Sequence, residues 1–498
     1  MKKRQLDILL IKPGSQKDLY GKLSEGSLTA IEPPLWAGLI ATFLLKKGYS
    51  LQIIDSEAER LSPFDLTDRI SEINPFLVGI IVSGTNPSAS TMNMIGARAI
   101  LKEIRRRNLP VKTILAGLHP SALPERTMKE EETDFLCEGE GFYTISELLE
   151  TIKEDYERKE FNIKGLWYRK DGQIIANKRP PLVKNLNDEL PYVSWDLLPM
   201  DKYRAHNWHC FQESGQKRTP YAVIYTSLGC PFRCHFCCIN SIFGGPGIRY
   251  RSPEKVVEEI DLLVNKYGVK NIKITDEMFV FNERHVLNIC DLINERGYNL
   301  NIWAYARVNT VNEKLLRRLK EAGFKWLAYG IESGNDRVLK SVSKGITVDR
   351  IKHAIKLTQD IGINVIGNYI LGLPEDDLQS MQDTMNLAME LNCEFINLYC
   401  AIAYPGSALY EQALKEGWKL PETWAGYSPY SYEHLPLSTK YLTSMEVLRF
   451  RDEAYVKYFS NEKSQNMVRE KFGEEVLRHI RNSLTKRLRR KLLEEEGR

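Results

Sequence analysis

Three cysteines lie within one eight-residue stretch near the middle of the chain. Cys230, Cys234 and Cys237 follow a C-x3-C-x2-C spacing on a short segment after an apolar, strand-like run. Three thiolates at this spacing can bind three of the four irons of a cubane iron–sulfur cluster and leave the fourth iron open. Because an open iron needs an external ligand, the spacing favours a cluster that takes part in a reaction over one that only stores electrons.

A structural zinc site is the alternative, with His235 or Cys238 as the fourth ligand. Adjacent residues of one short loop rarely converge on a single ion, and the sequence contains no second C-x2-C pair. The spacing therefore favours the cluster over zinc.

The cysteine stretch resembles the signature of the radical S-adenosylmethionine (SAM) enzymes. In that family the amino and carboxylate groups of SAM chelate the open iron of a [4Fe-4S] cluster. Phe236, directly before the third cysteine, matches the aromatic residue that packs near the adenine. The resemblance implies that Cys230, Cys234 and Cys237 are the cluster ligands and that Phe236 contacts SAM.

The composition is that of a soluble globular protein with about three domains. The 498 residues are 43% hydrophobic and 27% charged, and a net charge of +4 is too small to indicate a nucleic-acid binder. The longest near-apolar run, Leu35 to Leu45, is shorter than the roughly 20 residues of a membrane span, and no signal-peptide pattern is present. Nine cysteines, three of them in one motif, are not a disulfide framework. We expect a cytoplasmic protein.

Apolar and amphipathic runs alternate over residues 1–155, which predicts an α/β domain with a doubly wound, Rossmann or flavodoxin-like parallel sheet. Ligands of such sheets bind beyond the carboxyl ends of the strands. Small-residue loops follow three of the predicted strands, although any one of them could be only a turn. These loops are Ser83-Gly84-Thr85, Gly117-Leu118-His119 and Glu138-Gly139-Glu140-Gly141.

The three loops, with the run from Pro33 to Leu35 and the segment Gly48–Asp55, resemble the cobalamin-binding domain of many radical SAM enzymes. The resemblance implies that the loops contact cobalamin. Cobalamin-dependent mutases carry a D-x-H-x-x-G loop whose His ligates cobalt, whereas the residues Lys12–Leu19 after the first strand contain no His. We therefore expect cobalamin in a His-off state, with His119 fixing its turn or contacting the cofactor's edge. A flavodoxin-like scaffold that holds another ligand, or none, stays open.

Residues 156–219 are expected to link two domains, with a small hairpin over 161–178 and a proline-rich apolar run that packs across the boundary. Six strand candidates alternate with amphipathic helices over residues 220–405, which predicts a partial (β/α)6 barrel of the TIM type. Active residues of such barrels lie at the C-terminal strand ends. The cysteine stretch follows the first of these strands, Asp276-Glu277 the second, Arg307 the third and Glu332 the fourth.

The chemistry of these strand-end residues suits the groups of SAM. Arg307 can pair bidentately with a carboxylate, and Glu332 with Ser333 can bond the ribose hydroxyls. The backbone near Asn368 and Ile402 can read the adenine edge. The alternatives are a structural ion pair for Arg307, a helix N-terminal carboxylate for Glu332 and a strand hydrogen bond for Asn368.

The resemblance to radical SAM enzymes supports SAM-binding roles for Arg307, Glu332 and Ser333, and it extends to Asp276.

Residues 406–498 are predicted to form a mainly helical region rich in aromatic residues. The resemblance implies that this region closes the open side of the barrel and shapes the substrate pocket, with ordinary core packing as the alternative. The segment from Leu477 to Leu493 is predicted to be one basic amphipathic helix. Such a helix could touch an anionic membrane surface peripherally, or it could simply be solvated.

Taken together, the motifs resemble cobalamin-dependent radical SAM enzymes, which include methyltransferases and an anaerobic tetrapyrrole cyclase. The resemblance implies methylation of an unactivated carbon through a 5′-deoxyadenosyl radical and methylcobalamin. The implied partners are a small-molecule, lipid or tetrapyrrole substrate and a reductase such as flavodoxin or ferredoxin. Cyclisation, oxidation or rearrangement without methyl transfer is the alternative. A cobalamin-binding sensor with a structural metal is the non-enzymatic one, but it would need a signalling or DNA-binding module.

Overall fold

The computed structural model describes residues 4, 6–15, 19, 29–84, 90–211, 217–486 and 488–494.

Seven strands form the first sheet. The strands are β1 (Leu6–Lys12), β2 (Leu51–Asp55), β3 (Pro75–Val82), β4 (Lys112–Gly117), β5 (Phe135–Cys137), β6 (Leu166–Lys170) and β7 (Gln173–Ala176). Their spatial order is β2-β1-β3-β4-β5-β6-β7, and the first five are parallel.

Helices cover both faces of this sheet because its strands are apolar on both sides. Ile8 and Leu10 of β1 pack with one layer of helices, whereas Leu9 and Ile11 pack with the other. The helices are α1 (Leu35–Lys46), α2 (Pro63–Ile73), α3 (Met94–Arg106), α4 (Leu118–Ala122), α5 (Pro124–Glu130) and α6 (Phe142–Glu154). The predicted doubly wound sheet is confirmed.

The predicted hairpin belongs to the first sheet. Strand β6 pairs antiparallel with β5, with Phe135 opposite Tyr168, and β7 pairs with β6 across a turn at Asp171 and Gly172. The sequence places this hairpin in the connecting segment because its D-G turn is visible, whereas its pairing partner is not.

The segment that follows the hairpin packs between the two regions of the chain. It contains the short helix α7 (Leu186–Glu189) and the proline-rich run that ends at Trp195. A carboxylate of the next region, Glu259, accepts hydrogen bonds from Val193 N–H and from the Trp195 indole, both at 2.8 Å. Glu259 also pairs with Arg251, so the connecting segment is held by a buried charged group.

The second sheet is a six-stranded open barrel. Its strands are parallel and lie in chain order, as the sequence predicts. They are β8 (Tyr221–Ile224), β11 (Asn271–Ile274), β12 (Asn301–Ala306), β13 (Phe324–Glu332), β14 (Asn364–Leu371) and β15 (Phe395–Cys400), while β9 (Ser227–Leu228) and β10 (Arg249–Tyr250) form a separate antiparallel pair.

Helices alternate with the barrel strands and begin at side-chain caps. Ser252 accepts from Lys255 N–H ahead of a proline at the first helical position, and Asn282 and Thr347 cap two later helices in the same way. The helices are α8 (Asn240–Phe243), α9 (Pro253–Tyr267), α10 (Glu283–Arg296), α11 (Glu313–Glu321), α12 (Asp336–Ser341), α13 (Val348–Ile361) and α14 (Leu378–Leu391).

A helical region follows the barrel and covers its last strand. Its helices are α15 (Ala408–Glu416), α16 (Ser444–Phe459), α17 (Glu462–Phe472), α18 (Glu474–Leu484) and α19 (Lys491–Glu494). Helix α16 is fixed to the barrel because Arg451 donates to Leu398 O at 2.8 Å and Tyr458 donates to Cys393 O at 2.7 Å. No helix of the described residues is long and apolar enough to cross a membrane.

The predicted single helix from Leu477 to Leu493 is wrong. Helix α18 ends at Leu484, and the next helix of the described residues, α19, begins at Lys491. Between them Arg490 is 2% exposed and donates to Pro429 O and Ser431 O. The tail bends because this guanidinium finds backbone acceptors in the preceding region, which a helical pattern in the sequence cannot reveal.

We expect the substitution Glu259→Ala to lower the stability of the chain markedly. It leaves Arg251, Val193 N–H and the Trp195 indole without their buried acceptor, and breaking a buried pair in this way costs about 3–5 kcal/mol. Thermal unfolding should show a Tm several degrees below that of the unmodified chain. The neighbouring Glu258→Ala is the control, because Glu258 is exposed and pairs with the partly exposed Lys255. Equal Tm values for the two variants would contradict this role.

Candidate functional site

The three cysteines lie on the loop between β9 and α8, at the C-terminal end of the barrel's first strand. Gly229 enters this loop with φ +98°, and a Cβ there would lie 2.4 Å from Gly247 O. Cys230 O accepts from Gly247 N–H, and Cys237 N–H donates to Cys234 O, each at 3.1 Å. A glycine is therefore required where the loop turns, and the loop is closed by its own backbone.

Each of the three thiols is partly exposed, whereas the adjacent Cys238 is buried. Within the part of the chain that the structure describes, no three His, Cys, Asp or Glu side chains converge on a single metal ion. A cubane does not need such convergence, because each thiolate binds a different iron. Cys230, Cys234 and Cys237 thus fit a multi-iron cluster.

Arg307 lies directly against the cysteine loop. Its guanidinium Nη1 is 3.8 Å from Cys234 Sγ, its Cζ is 4.0 Å from the centre of the Phe232 ring, and its Nε donates to Asn309 at 2.9 Å. The predicted pairing of Arg307 with the SAM carboxylate stays a prediction.

Glu332 forms a buried ion pair that the sequence did not reveal. Lys344 Nζ lies 2.6 Å from Glu332 Oε1 and 5.8 Å from the centre of the Phe236 ring. Glu332 has φ +66°, and at Gly330 a Cβ would lie 2.4 Å from the Glu332 carboxylate. Strained backbone of this kind is common at ligand sites. Lys344 escaped prediction because it lies in the loop after α12 and not at a strand end.

Ser333 is fully buried and faces helix α14. Its hydroxyl lies 3.2 Å from the Thr384 hydroxyl and accepts from Asn335 N–H at 3.2 Å. Asn368 donates to Tyr329 O at 3.2 Å and accepts from Asn397 at 2.9 Å, so its amide bridges three neighbouring strands. The predicted SAM contacts of Ser333 and Asn368 stay predictions.

Asp276 and Ile402 are engaged elsewhere in the fold. Asp276 accepts at 2.6 Å from Thr226 N–H, the Thr226 hydroxyl and the Ser227 hydroxyl, and burial raises its pKa to about 6. Ile402 is buried in an apolar cluster with Trp424 and Tyr427. The predicted SAM contacts of Asp276 and Ile402 also stay predictions.

A cavity lies where the two sheets face each other. It holds about 600 Å³ of space, part of it open to solvent. The wall from the first sheet contains the carboxyl ends of β3 and β4, and the opposite wall contains those of β8 and β11. The lining residues of these walls are Ser83, Gly84, Gly117 and Leu118 on one side and Val223, Tyr225, Thr275 and Glu277 on the other.

Helix α1 and the end of the short helix α8 complete the cavity. Pro33, Leu35 and Trp36 line it beside Ile242 and Phe243. Gly117 has φ +124°, and a Cβ there would lie 2.2 Å from Val82 O, so only glycine permits this wall. The shape is that of a ligand site at the carboxyl ends of parallel strands.

The cavity brings together only part of the predicted cobalamin-binding set. Ser83, Gly84, Gly117 and Leu118 line it, whereas Thr85 lies outside the described residues. His119 is 1% exposed. Its Nδ1 forms a hydrogen bond of 3.1 Å with Thr91 Oγ1, and its ring packs edge-on against Trp424. Burial lowers the pKa of His119 to about 3.

The loop from Glu138 to Gly141 connects the two regions instead of lining the cavity. Glu140 pairs with Arg249 at 2.6 Å, and Glu138 accepts from the Trp167 indole at 2.9 Å. Gly139 N–H donates to Ser121, and Gly141 begins α6 with φ +93°. Cobalamin contacts of His119, Glu138, Gly139, Glu140 and Gly141 stay predictions.

Glu277 is a cavity residue that the sequence places at a strand end without assigning it a role. Its carboxylate accepts from Gly229 N–H at 3.0 Å, directly before the first cysteine, and burial raises its pKa to about 8. The signal was available, because Glu277 follows Asp276 at the end of β11. Only the structure shows that the second of these two carboxylates, and not the first, faces the cavity.

Comparisons with known proteins agree with this geometry. The radical SAM superfamily matches residues 224–388, and the B12 binding domain matches residues 25–149. An uncharacterized methyltransferase of Pyrococcus horikoshii is 32% identical over 428 residues, which are 86% of this chain and 88% of that protein. The anaerobic magnesium-protoporphyrin IX monomethyl ester cyclase of Rubrivivax gelatinosus is 26% identical over 387 residues, covering 76% and 66%.

A solved structure shares the fold. The radical S-adenosylmethionine methyltransferase TsrM from Kitasatospora setae, with cobalamin and a [4Fe-4S] cluster bound, superposes with a TM-score of 0.67 at 16% identity. The match covers 96% of this chain and 99% of that one.

We expect Asp276→Ala to destabilise the fold, because it leaves Thr226 N–H and two hydroxyls without their buried acceptor. Each such loss costs about 1–3 kcal/mol. Thermal unfolding of the cofactor-free chain should show a lowered Tm. Asp291→Ala is the control, since Asp291 is about half exposed and pairs with Arg318. If both variants unfold together, the hydrogen bonds of Asp276 do not carry stability.

Proposed function

We propose that this chain transfers a methyl group to an unactivated carbon of a small molecule. The premise is that the chain belongs to the cobalamin-dependent radical SAM enzymes. The observation that carries this proposal is the cavity between the two sheets. Predicted cobalamin loops line one wall, and the opposite wall reaches the cysteine loop through Glu277 and Gly229. A cofactor held by the first sheet would thus lie next to the cluster site.

The cluster ligands of this proposal are Cys230, Cys234 and Cys237. Their support is the partial exposure of all three thiols on one closed loop and the Arg307 guanidinium beside Cys234. The positive charge would offset the negative charge of a thiolate-bound cluster.

The SAM site of this proposal lies beside the cluster, with Phe236, Glu332 and Lys344 as its central residues. Lys344 holds the Glu332 carboxylate in place and lies near the Phe236 ring. Phe236 is half-buried against Val338, Val342, Leu373 and Ala401, so its ring is firmly placed. A pre-positioned carboxylate and aromatic ring can orient a ribose and an adenine without further rearrangement.

The chemistry comes from the bound groups: the cluster with SAM supplies a carbon-centred radical, and cobalamin supplies the methyl group. The chain's own contribution is to place these groups in a partly enclosed site. Trp36, Tyr225 and Phe243 give the cavity apolar walls, and the buried contacts around it keep the two sheets in a fixed relation. A reactive radical needs such an enclosure.

A cyclase that uses the same cofactors without methyl transfer is the second candidate. The similarity to the Rubrivivax gelatinosus cyclase favours it, although that match covers less of both chains than the methyltransferase match does. Relatives that act on small molecules and tetrapyrroles make a small-molecule substrate the general expectation.

We also propose that a one-electron donor such as flavodoxin or ferredoxin docks near the cysteines, because the thiols are partly exposed and Arg233 beside them is exposed. Peripheral membrane contact through the basic tail has weaker support. Arg490 is buried and Arg489 pairs with Glu494 at 2.9 Å, so part of the basic charge is already engaged.

Product analysis tests the reaction class. The reconstituted chain, incubated anaerobically with SAM, reductant and a metabolite extract, should form S-adenosylhomocysteine, 5′-deoxyadenosine and a product heavier by one CH2 unit. Mass spectrometry with methyl-labelled SAM identifies the transferred group. Formation of 5′-deoxyadenosine without S-adenosylhomocysteine would favour the cyclase type, and formation of neither would contradict an enzymatic role.

The cluster ligands are tested by Cys234→Ala. We expect loss of the iron–sulfur charge-transfer absorbance and of bound iron after anaerobic reconstitution. Cys238→Ala is the matched control, because Cys238 is adjacent to the motif but fully buried away from it, and it should keep the cluster. An intact cluster in Cys234→Ala would remove the ligand assignment.

A further inference from the structure

A carboxylate from the first region of the chain forms part of the cavity wall. Glu32 precedes Pro33 at the entry to α1 and lines the cavity. Both of its oxygens accept from Lys273 Nζ, at 3.0 and 3.1 Å, and one also accepts from the Tyr221 hydroxyl at 3.1 Å. Lys12 donates to Glu32 O at 2.9 Å, so backbone and side chain are both held.

The lysine behind this carboxylate is a barrel residue that is almost fully buried. Lys273 lies in the middle of β11, and its side chain is 2% exposed. Its Nζ is 5.0 Å from the centre of the Trp303 ring and 5.9 Å from that of Tyr305. Burial opposes the charge, but attraction to Glu32 and Tyr305 outweighs it and raises the pKa of Lys273.

The Glu32 carboxylate remains accessible from the cavity. Its side chain is 12% exposed, although Lys273 and Tyr221 hold it on the barrel side. A carboxylate offers about four lone-pair positions, and three are used by these donors. One acceptor position is therefore left for a ligand, in an orientation that is set before the ligand arrives.

The cavity lining presents acceptors and no cationic side chain. Glu32 and Glu277 supply its carboxyl groups, and the lining of the described residues contains no Lys, Arg or His, because Lys273 lies behind Glu32 on the barrel side. A buried acceptor favours a ligand that donates a hydrogen bond and disfavours one that brings a second negative charge. The cavity thus suits a ligand with neutral N–H donors at its edge.

We propose that Glu32 accepts a hydrogen bond from a side-chain amide on the periphery of the corrin ring and thereby selects cobalamin over corrins that carry a carboxylate at that position. This assignment rests on the proposed function, because it presupposes cobalamin in the cavity. Its support is that Glu32 directly precedes the run from Pro33 to Leu35, which resembles the cobalamin-binding domain, and that Pro33 and Leu35 line the same cavity.

The test compares hydroxocobalamin with its three monocarboxylic acids, in each of which one corrin propionamide is hydrolysed. Dissociation constants for the full-length chain are measured by absorbance after reconstitution. We expect at least about tenfold weaker binding of one of the acids, because its carboxylate would lie against the Glu32 carboxylate and the two negative charges repel each other. Glu32→Gln should regain affinity for that acid and reduce the ratio to below about threefold, since an amide can donate to the acid's carboxylate.

Glu32→Gln leaves Lys273 without its carboxylate and could impair folding. The double variant Glu32→Gln/Lys273→Met removes both charges and keeps the amide, and it should show the same reduced ratio. Glu258→Gln, outside the cavity, is the matched control, because Glu258 is exposed, and it should retain the discrimination of the unmodified chain.

Equal affinity of the unmodified chain for the amide and all three acids would overturn the assignment. A ratio unchanged in both Glu32 variants, or one that also collapses in Glu258→Gln, would overturn it as well. Failure of the unmodified chain to bind any cobalamin would overturn the proposed function itself, so the two failures are distinguishable.

Discussion

Ion pairs between buried side chains of the two regions determine how the two sheets are placed relative to each other. Glu32 pairs with Lys273, and Glu140 pairs with Arg249, so in both pairs the first region supplies the carboxylate and the barrel region supplies the cation. Desolvating such groups is unfavourable unless geometry and hydrogen bonding are nearly complete. These pairs therefore permit one relative placement of the sheets and penalise others. The cavity has its shape because its two walls are held by contacts that tolerate little displacement.

The regular parts of this structure could be predicted from the sequence because they depend on local patterns. Alternating apolar runs indicate both parallel sheets, and the cysteine spacing marks the loop after the first barrel strand. The glycines at 84 and 117 were predicted to face a ligand for the same reason, since small residues at strand ends are visible in one dimension. Patterns of this kind carry their information within a few residues.

Contacts between residues that are far apart in the sequence could not be predicted. Nothing near Asp276 shows that Thr226 and Ser227 occupy its oxygens, and nothing near Glu332 shows that Lys344 will neutralise it. His119 follows a strand end as a cofactor-binding residue would, yet it packs against Trp424. The basic tail has helical periodicity, but a buried site for Arg490 outweighs it. In each case a tertiary contact determines what the side chain does.

The docking of Trp424 on the first region bears on how the chain is made. Its indole donates to Glu131 Oε1 across 293 residues of sequence, and Arg126 lies over its ring at 4.6 Å. During synthesis the first sheet leaves the ribosome long before Trp424. His119 and its apolar neighbours are therefore exposed to solvent until Trp424 packs against them. The nascent first region thus carries an exposed surface that is covered when Trp424 of the same chain docks on it. An amino-terminal fragment that stopped before Trp424 would keep that surface exposed and would be prone to self-association.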